Sequence, residues 1–388
     1  MTSARHNDDL IAMPVAGRAV RLPIHAIDVI PIRVPLNRTY HGSGYRMDHR
    51  STVIVRITAG DGIVGEAYAG DEDASLLEIV KVIEEELSPV LIGEDALAVE
   101  RCWQLTRPAT FDILRDRRVA LVACAAVDTA LWDAAGKSVG LPLWRLWGGF
   151  QSSRPMILIG GYYGQGELAE EVAAVRGLGV AGMKLKVGGA DPVSDAQRFR
   201  IAREAGGPDF LLAADANQAW TRREAIEFAS LVADLGLLWF EEPCRWDNDR
   251  RDLRDVRAIS GVRVCAGQSE LSAGGCRDLF EAGAVDVCNF DASWSGGPTE
   301  WRRVAAMASV YGVAMAHHEE PHVSAHLLAS IPHGTYVECF HPDRDPIWWN
   351  LIANRPELVD GQLQLSERPG LGWELDGDYI ETFRVRTG

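Results

Sequence analysis

The stretch GMKLKVGG (182–189) places Lys184 and Lys186 two residues apart in a short apolar run. Strand side chains alternate faces, so both ammonium groups point one way while Met183, Leu185 and Val187 point the other. A strand with an oily face under helices and two charges on its other face is costly unless the charges are used. Similar runs follow: FLLAADAN (210–217), LLWFEEP (237–243), RVCAGQS (263–269), DVCNFD (286–291), GVAMAHH (312–318) and TYVECF (335–340), with PMILIGGYY (155–163) ahead of them. Helical patterns such as DAQRFRIAREAG (195–206) and REAIEFASLVADLG (223–236) separate most of these runs. Strands alternating with helices imply right-handed βαβ units and a parallel sheet. Eight units predict an α/β fold built on a closed (β/α)8-type barrel.

Upstream the rhythm differs. Residues 26–36, 52–58 and 63–68 read as strands, the last two flanking the turn signal AGDG, and helical patterns follow at 74–87, 96–106 and 117–137. Strands followed by helices describe an α+β domain. The expected organisation is a loose tail over 1–21, an α+β domain over 22–150, the barrel over 151–340, and a segment over 341–388 that packs back on the first domain.

The chain has 388 residues and a formal net charge of −16, which argues against a nucleic-acid surface and against anionic membranes. A small anionic substrate remains open, because a site makes its own local field. There is no unbroken apolar run of membrane-spanning length, and the opening residues lack the form of a secretory signal. The seven cysteines are scattered, odd in number and without a CxxC pair, which predicts buried reduced thiols and a cytoplasmic location.

In a barrel of this kind chemistry gathers at the C-terminal ends of the strands. Those ends carry Lys184 and Lys186, Asp215 and Asn217, Glu241, Gln268 and Glu270, Asp291, His318, and Glu338. One such residue would be an ordinary loop charge or helix cap; seven consecutive strands bearing them would converge on one mouth. Asp215, Glu241 and a residue of GQSE form an oxygen-rich set, and hard oxygen donors without cysteine or paired histidine suit Mg²⁺. Salt bridges from these carboxylates to the two lysines are a further reading, and both can hold together. Asp291 and His318 lie on neighbouring strands, where a carboxylate on one imidazole nitrogen fixes the tautomer and leaves the other for proton transfer. Strand parity turns the adjacent His317 outward. HEEPH (318–322) matches a zinc-protease pattern, but Pro321 falls inside the helix that motif needs. GGYYGQG (160–166) has the wrong spacing for a dinucleotide fingerprint.

With these residues placed, the chain resembles the enolase superfamily and, within it, the mandelate racemase subgroup. ALWDAAGKSVGLPLWRLWGG (130–149) is similar to the segment that closes that family's capping domain. KLK, ADANQAW, WFEEP, FDASWSGG with AMAHH, and YVECF are similar to its lysine pair, two metal strands, Asp–His dyad and eighth-strand glutamate. The resemblance implies that Lys186 is the base on one face of the substrate and that Lys184 lowers its pKa and helps hold the substrate carboxylate. It further implies one Mg²⁺ per subunit on Asp215 and Glu241, Asp291 orienting His318, His318 serving the opposite face, Glu338 bonding the substrate carboxylate, and a homo-oligomer. The third metal strand departs from the family's Gly-Glu and reads AGQSE (266–270), so Gln268 and Glu270 are both candidates for the third ligand.

The proton beside a carboxylate is weakly acidic, since its removal puts a second negative charge on the group; Mg²⁺ and placed donors offset that charge. A free lysine has a pKa of about 10.4 and is a poor base at neutral pH; a second ammonium and partial burial are expected to bring Lys186 to roughly 7–8. Two opposed bases permit racemisation, and equally permit dehydration with His318 protonating a departing β-hydroxyl. The loop HGSGYRMDHR (41–50), which carries Tyr45, Arg46, Asp48 and His49, is expected to close over the mouth, with Asn217, Tyr45, Arg46 and His49 as substrate contacts. A polar lid suits a polyhydroxylated acid, so the expectation is a dehydratase of an acid sugar giving a 2-keto-3-deoxy acid, with a 2-hydroxy-acid racemase or epimerase as the alternative. The family's lactonising branch usually carries a second lysine where this chain has Asp291. Trp294, Trp348 and Trp349 are candidates to line the pocket.

Overall fold

The computed structural model describes residues 21–164 and 166–386, so the tail expected over 1–21 lies outside the described residues except for Arg21. The chain opens with three antiparallel strands in sequential order, β1 (Ile24–His41), β2 (Arg46–Ala59) and β3 (Ile63–Tyr68). The first two run longer than expected because most of the predicted loop over 41–50 continues the hairpin, with β2 resuming at Arg46. A register shift falls between Pro35↔His49 and Tyr40↔Met47, which bends the ribbon near its tip.

The helix Arg117–Val139 packs against this sheet. It is capped by Asp116, which accepts from the Arg118 N–H, and it ends at Gly140 in the left-handed conformation at φ 68°. By length and composition this helix could cross a membrane, although Asp128 and Asp133 break its apolar run; 94% of its apolar window is buried in the protein. Both acids are used as internal acceptors. Asp128 takes the Thr299 N–H at 2.9 Å and the Thr299 hydroxyl at 2.8 Å, tying the first domain to the barrel.

The barrel strands are β4 (Ser153–Gly160), β5 (Gly182–Lys186), β6 (Leu211–Asp215), β7 (Leu237–Glu241), β8 (Val264–Ala266), β9 (Val287–Cys288), β10 (Ala314–Met315) and β11 (Val337–Phe340). They are parallel in sequential order, and β11 pairs with β4. Between β10 and β11 the contact is made just ahead of β11, where Met315 N–H donates to His333 O and Thr335 N–H to Met315 O, both at 2.8 Å. Inside the barrel Ile157, Ala213, Trp239, Cys265, Val287 and Ala316 fill an apolar layer. Two residues beyond Ala213, Trp239 and Ala316, the strand alternation delivers Asp215, Glu241 and His318 to the same interior side.

The C-terminal segment touches both domains. Within it β12 (Leu358–Val359) and β13 (Gln362–Gln364) form a hairpin, and β13 lies antiparallel on β4. Leu371 N–H then donates to Asp133 Oδ1 at 2.7 Å, and Arg384 bridges to Ile32 of β1. All seven cysteines are buried.

Candidate active site

Lys186, Asp215 and Glu241 stand on one rung of three adjacent parallel strands, because Lys186 pairs in register with Asp215 and Asp215 with Glu241. Lys186 Nζ lies 2.6 Å from Asp215 Oδ2 and 2.9 Å from Asn217 Oδ1. Lys184 is two residues lower on the same face, with Nζ 2.5 Å from Glu241 Oε1, 2.8 Å from Glu338 and 3.8 Å from Asp215. Both readings of the carboxylates therefore meet in one cluster: the oxygens suited to a cation are the partners of the lysines. All four of Lys184, Asp215, Glu241 and Glu338 are fully buried.

The electrostatics correct one expectation. Burial pushes the Lys186 ammonium pKa down, but Asp215 pushes it further up, and the net is well above the ordinary lysine value. Lys184 is raised too, again with burial opposed by Glu241, Glu338 and Asp215. Burial lifts the Glu241 carboxyl to about 8 against the pull of Lys184.

Across the mouth His318 Nδ1 lies 2.9 Å from Asp291 Oδ2. The other oxygen of Asp291 accepts from the Ser293 N–H at 2.8 Å, the Ser293 hydroxyl at 2.6 Å and the Trp294 N–H at 3.2 Å, so the carboxylate is held from both sides. His318 Nε2 lies 3.1 Å from Glu319 Oε1. Burial pushes the imidazole pKa down, but Glu319 and Asp291 raise it well above the usual value. His317 turns away from the barrel interior, its Nε2 accepting from the Ala292 N–H at 3.0 Å, in a fully buried position near Trp301.

Lys186 and His318 line the same cavity of about 220 Å³, together with Tyr45, Asn217, Gln268 and Trp294. Lys184 and Glu338 are not among the residues lining that cavity; Glu338 Oε2 accepts from Lys184 and the Glu319 N–H, while its Oε1 has no hydrogen-bond partner among the described residues. Arg46 and His49 also stay out of the cavity. Both bond Asp48, while Tyr45 and Met47 of the same segment line the cavity. Trp348 packs edge-on against Trp373 and Trp349 donates to Phe340 O, so neither lines the pocket.

Glu270 is likewise removed from the metal-binding set. Its Oε1 lies 2.5 Å from Arg250 Nη2, away from the mouth. The expectation assumed continued strand alternation, but β8 stops at Ala266 and the chain turns, with Gly267 at φ 143° and Glu270 N–H donating to Gly267 O at 3.0 Å. A Cβ on Gly267 would stand 2.7 Å from Cys288 Sγ, so the turn needs glycine there. That turn is what brings Gln268 inward. Its amide donates to Glu242 Oε2 at 3.1 Å and accepts from Asn289 Nδ2 at 3.0 Å, leaving the carbonyl oxygen a second acceptor site. Asp215, Glu241 and the Gln268 amide offer oxygen donors alone, the donor chemistry that suits a hard divalent cation such as Mg²⁺.

Four residues of the site had no prior reading: Glu242, Glu319, Asp71 and Arg344. Glu242 and Glu319 immediately follow residues singled out by strand parity, at φ 36° and 55°, where the chain leaves the strand and parity stops applying. Asp71 and Arg344 come from the first domain's loop and the C-terminal segment, which carry no periodic signal. The decoy HEEPH dissolves as expected from Pro321: the helix begins at that residue, and His322 stacks on Tyr68 instead of facing His318.

Residues 26–148 match the mandelate racemase / muconate lactonizing enzyme N-terminal domain family, and residues 167–379 match the enolase C-terminal domain-like family. A mandelate racemase/muconate lactonizing enzyme from a marine actinobacterium, in complex with magnesium, is 55% identical with a TM-score of 0.90 over 94% of this chain and 100% of that one. The arabinonate dehydratase of Saccharolobus solfataricus is 29% identical over 86% of this chain and 91% of its own. The 3,6-anhydro-alpha-L-galactonate cycloisomerase of Streptomyces coelicolor is 32% identical over 92% of this chain and 98% of its own. The capping sheet, the barrel and both sequence matches agree: this chain belongs to the enolase superfamily, in its mandelate racemase/muconate lactonizing enzyme subgroup.

Proposed function

We propose that the protein is a Mg²⁺-dependent hydro-lyase that dehydrates an acid sugar to its 2-keto-3-deoxy acid. The observation that carries this reading is that Lys186 and the Asp291-held His318 line one cavity. Asp215, Glu241 and Gln268 would hold the cation, one per subunit, and a bound Mg²⁺ would supply positive charge to offset the negative charge that develops on the substrate carboxylate.

With the Asp215 charge that keeps Lys186 protonated drawn off to a bound cation, Lys186 would remove the proton on the carbon beside the carboxylate. His318 then protonates the departing β-hydroxyl, the C–O bond breaks with loss of water, and the resulting enol tautomerises to the ketone. Atoms balance as substrate minus one water. Asp291 holds Nδ1 of His318, so Nε2 is the nitrogen that exchanges the proton with substrate. The polar lining, which includes Asn217 and Tyr45, supports a hydroxyl-rich substrate. The named activities of relatives, a dehydratase and a cycloisomerase on sugar acids, support the substrate class and make cycloisomerisation the second reading.

The test is a panel of aldonic and aldaric acids with Mg²⁺ in D₂O, scoring 2-keto product and α-deuterium together, with Lys186→Ala and His318→Ala as controls. Keto product lost in the controls supports the dehydratase. Deuterium with inversion and no keto product replaces it with a racemase, and isomerisation without water loss replaces it with a cycloisomerase.

A further inference from the structure

Where the cavity meets the first domain, Arg344 is 2% exposed, yet its Nε and Nη1 have no hydrogen-bond partner among the described residues. Nη2 meets the sulfur of Met47, at 2.6 Å, a weak acceptor. The Phe340 ring covers the guanidinium, with Cζ 4.3 Å from the ring centre. Asp71 Oδ2 lies 3.6 Å from Nη1, beyond hydrogen-bond reach, and is itself without a hydrogen-bond partner among the described residues. The other Asp71 oxygen is held by the Ser51 N–H at 3.2 Å and faces Arg50 Nη1 at 3.4 Å.

A buried guanidinium with unmet donors beside a buried carboxylate with an unmet acceptor would be a defect in a closed core. Here both groups line the cavity that Lys186 and His318 line. Arg344 needs an acceptor and Asp71 needs a donor. A hydroxyl group is both at once. A second carboxylate would serve Arg344 but would bring its charge against Asp71 and against Glu319, which lines the same cavity.

We propose that Arg344 and Asp71 form a hydroxyl-recognising pair that selects a polyhydroxylated acid with one carboxylate over the corresponding diacid. The pair deepens the acid-sugar reading and rests on it for the chemistry at the substrate's single carboxylate. Asp71 contributes acceptance of a hydroxyl proton and rejection of a like charge; Arg344 contributes the donor fork.

Binding separates this pair from the chemistry. The Lys186→Ala protein, loaded with Mg²⁺, is titrated by calorimetry with aldonic acids and the aldaric acids of equal chain length. The best aldonate is expected to bind at least about tenfold tighter than its aldarate, and Asp71→Asn on the same background to cut that ratio severalfold, through weaker aldonate and stronger aldarate binding. Arg344→Lys, which keeps the charge and loses the fork, is expected to weaken the aldonate as well and serves if Asp71→Asn fails to fold. An aldarate that binds as tightly as the aldonate, no binding by either class, or a ratio unmoved by the substitution that folds overturns the proposal. Retained discrimination with no keto product from the wild-type enzyme counts against the dehydratase reading alone.

Discussion

Asp291 Oδ2 holds His318 Nδ1 at 2.9 Å, while its second oxygen is clamped by the Ser293 hydroxyl at 2.6 Å. The imidazole is thus oriented by a carboxylate that cannot itself turn. Replacing Asp291 with Asn offers Nδ1 an amide that can present either a donor or an acceptor, so the tautomer is no longer fixed. Asp291→Asn is expected to lower the rate of product formation by about 10²–10⁴-fold with the fold retained. Steady-state assay beside a thermal melt checks this; an activity within tenfold of wild type would show that the orientation is dispensable.

The turn after β8 separates Gln268 from Glu270. Gln268→Ala should weaken Mg²⁺ binding by about 10–100-fold, in the range seen when groups around a metal are removed. Glu270→Gln should leave it unchanged, because its carboxylate serves Arg250. Calorimetric Mg²⁺ titration of both variants decides it, and the reverse ranking would restore Glu270 as the ligand.

Arg50 is 1% exposed and joins the first domain to a barrel loop through Glu320 at 2.6 Å and to the C-terminal segment through Asp345 at 3.1 Å. Removing one partner of a buried ion cluster strands the opposite charges. Arg50→Met is therefore expected to destabilise the protein by about 3–5 kcal/mol, read as a lower denaturant midpoint. A midpoint within error of wild type would mean that the carboxylates simply protonate at no cost.

His326 uses both ring nitrogens. Nδ1 accepts from the Trp144 N–H at 3.2 Å and Nε2 faces Leu371 O at 2.9 Å, which selects the neutral ring with its proton on Nε2. Burial pushes its pKa from 6.5 down to about 4. Between those values the unfolded chain binds a proton that the folded chain does not, so this residue's contribution to stability rises with pH and is lost as pH falls through the window. Melting temperature should decline from pH about 6.5 to about 4, and His326→Gln should flatten part of that decline. A wild-type slope identical to the variant's would assign acid sensitivity elsewhere.

Most of the architecture and the skeleton of the site are legible in the chain itself. KLK, AADAN, WFEEP and the pair DASW and AHH announce strand ends by alternation, a local rule that needs no knowledge of the rest of the molecule. The same rule carried Asp215, Glu241 and His318 to one interior side and turned His317 outward. It failed where strands end. Glu270 was projected along a strand that had already stopped, and the lid expectation for Arg46 and His49, which rested on no periodicity, gave way to their bonds with Asp48.

Tertiary structure alone decided the rest. The protonation of Lys186 depends on which charge is nearest, and Asp215, from the neighbouring strand, outweighs Lys184 two residues away. Arg344 and Asp71 are 273 positions apart in the printed sequence and meet only when the C-terminal segment folds over the first domain. Alternation and periodicity are properties of short stretches and are written in the sequence; charge pairing and an unfilled hydrogen bond depend on distances between remote segments, which exist only once the chain has closed.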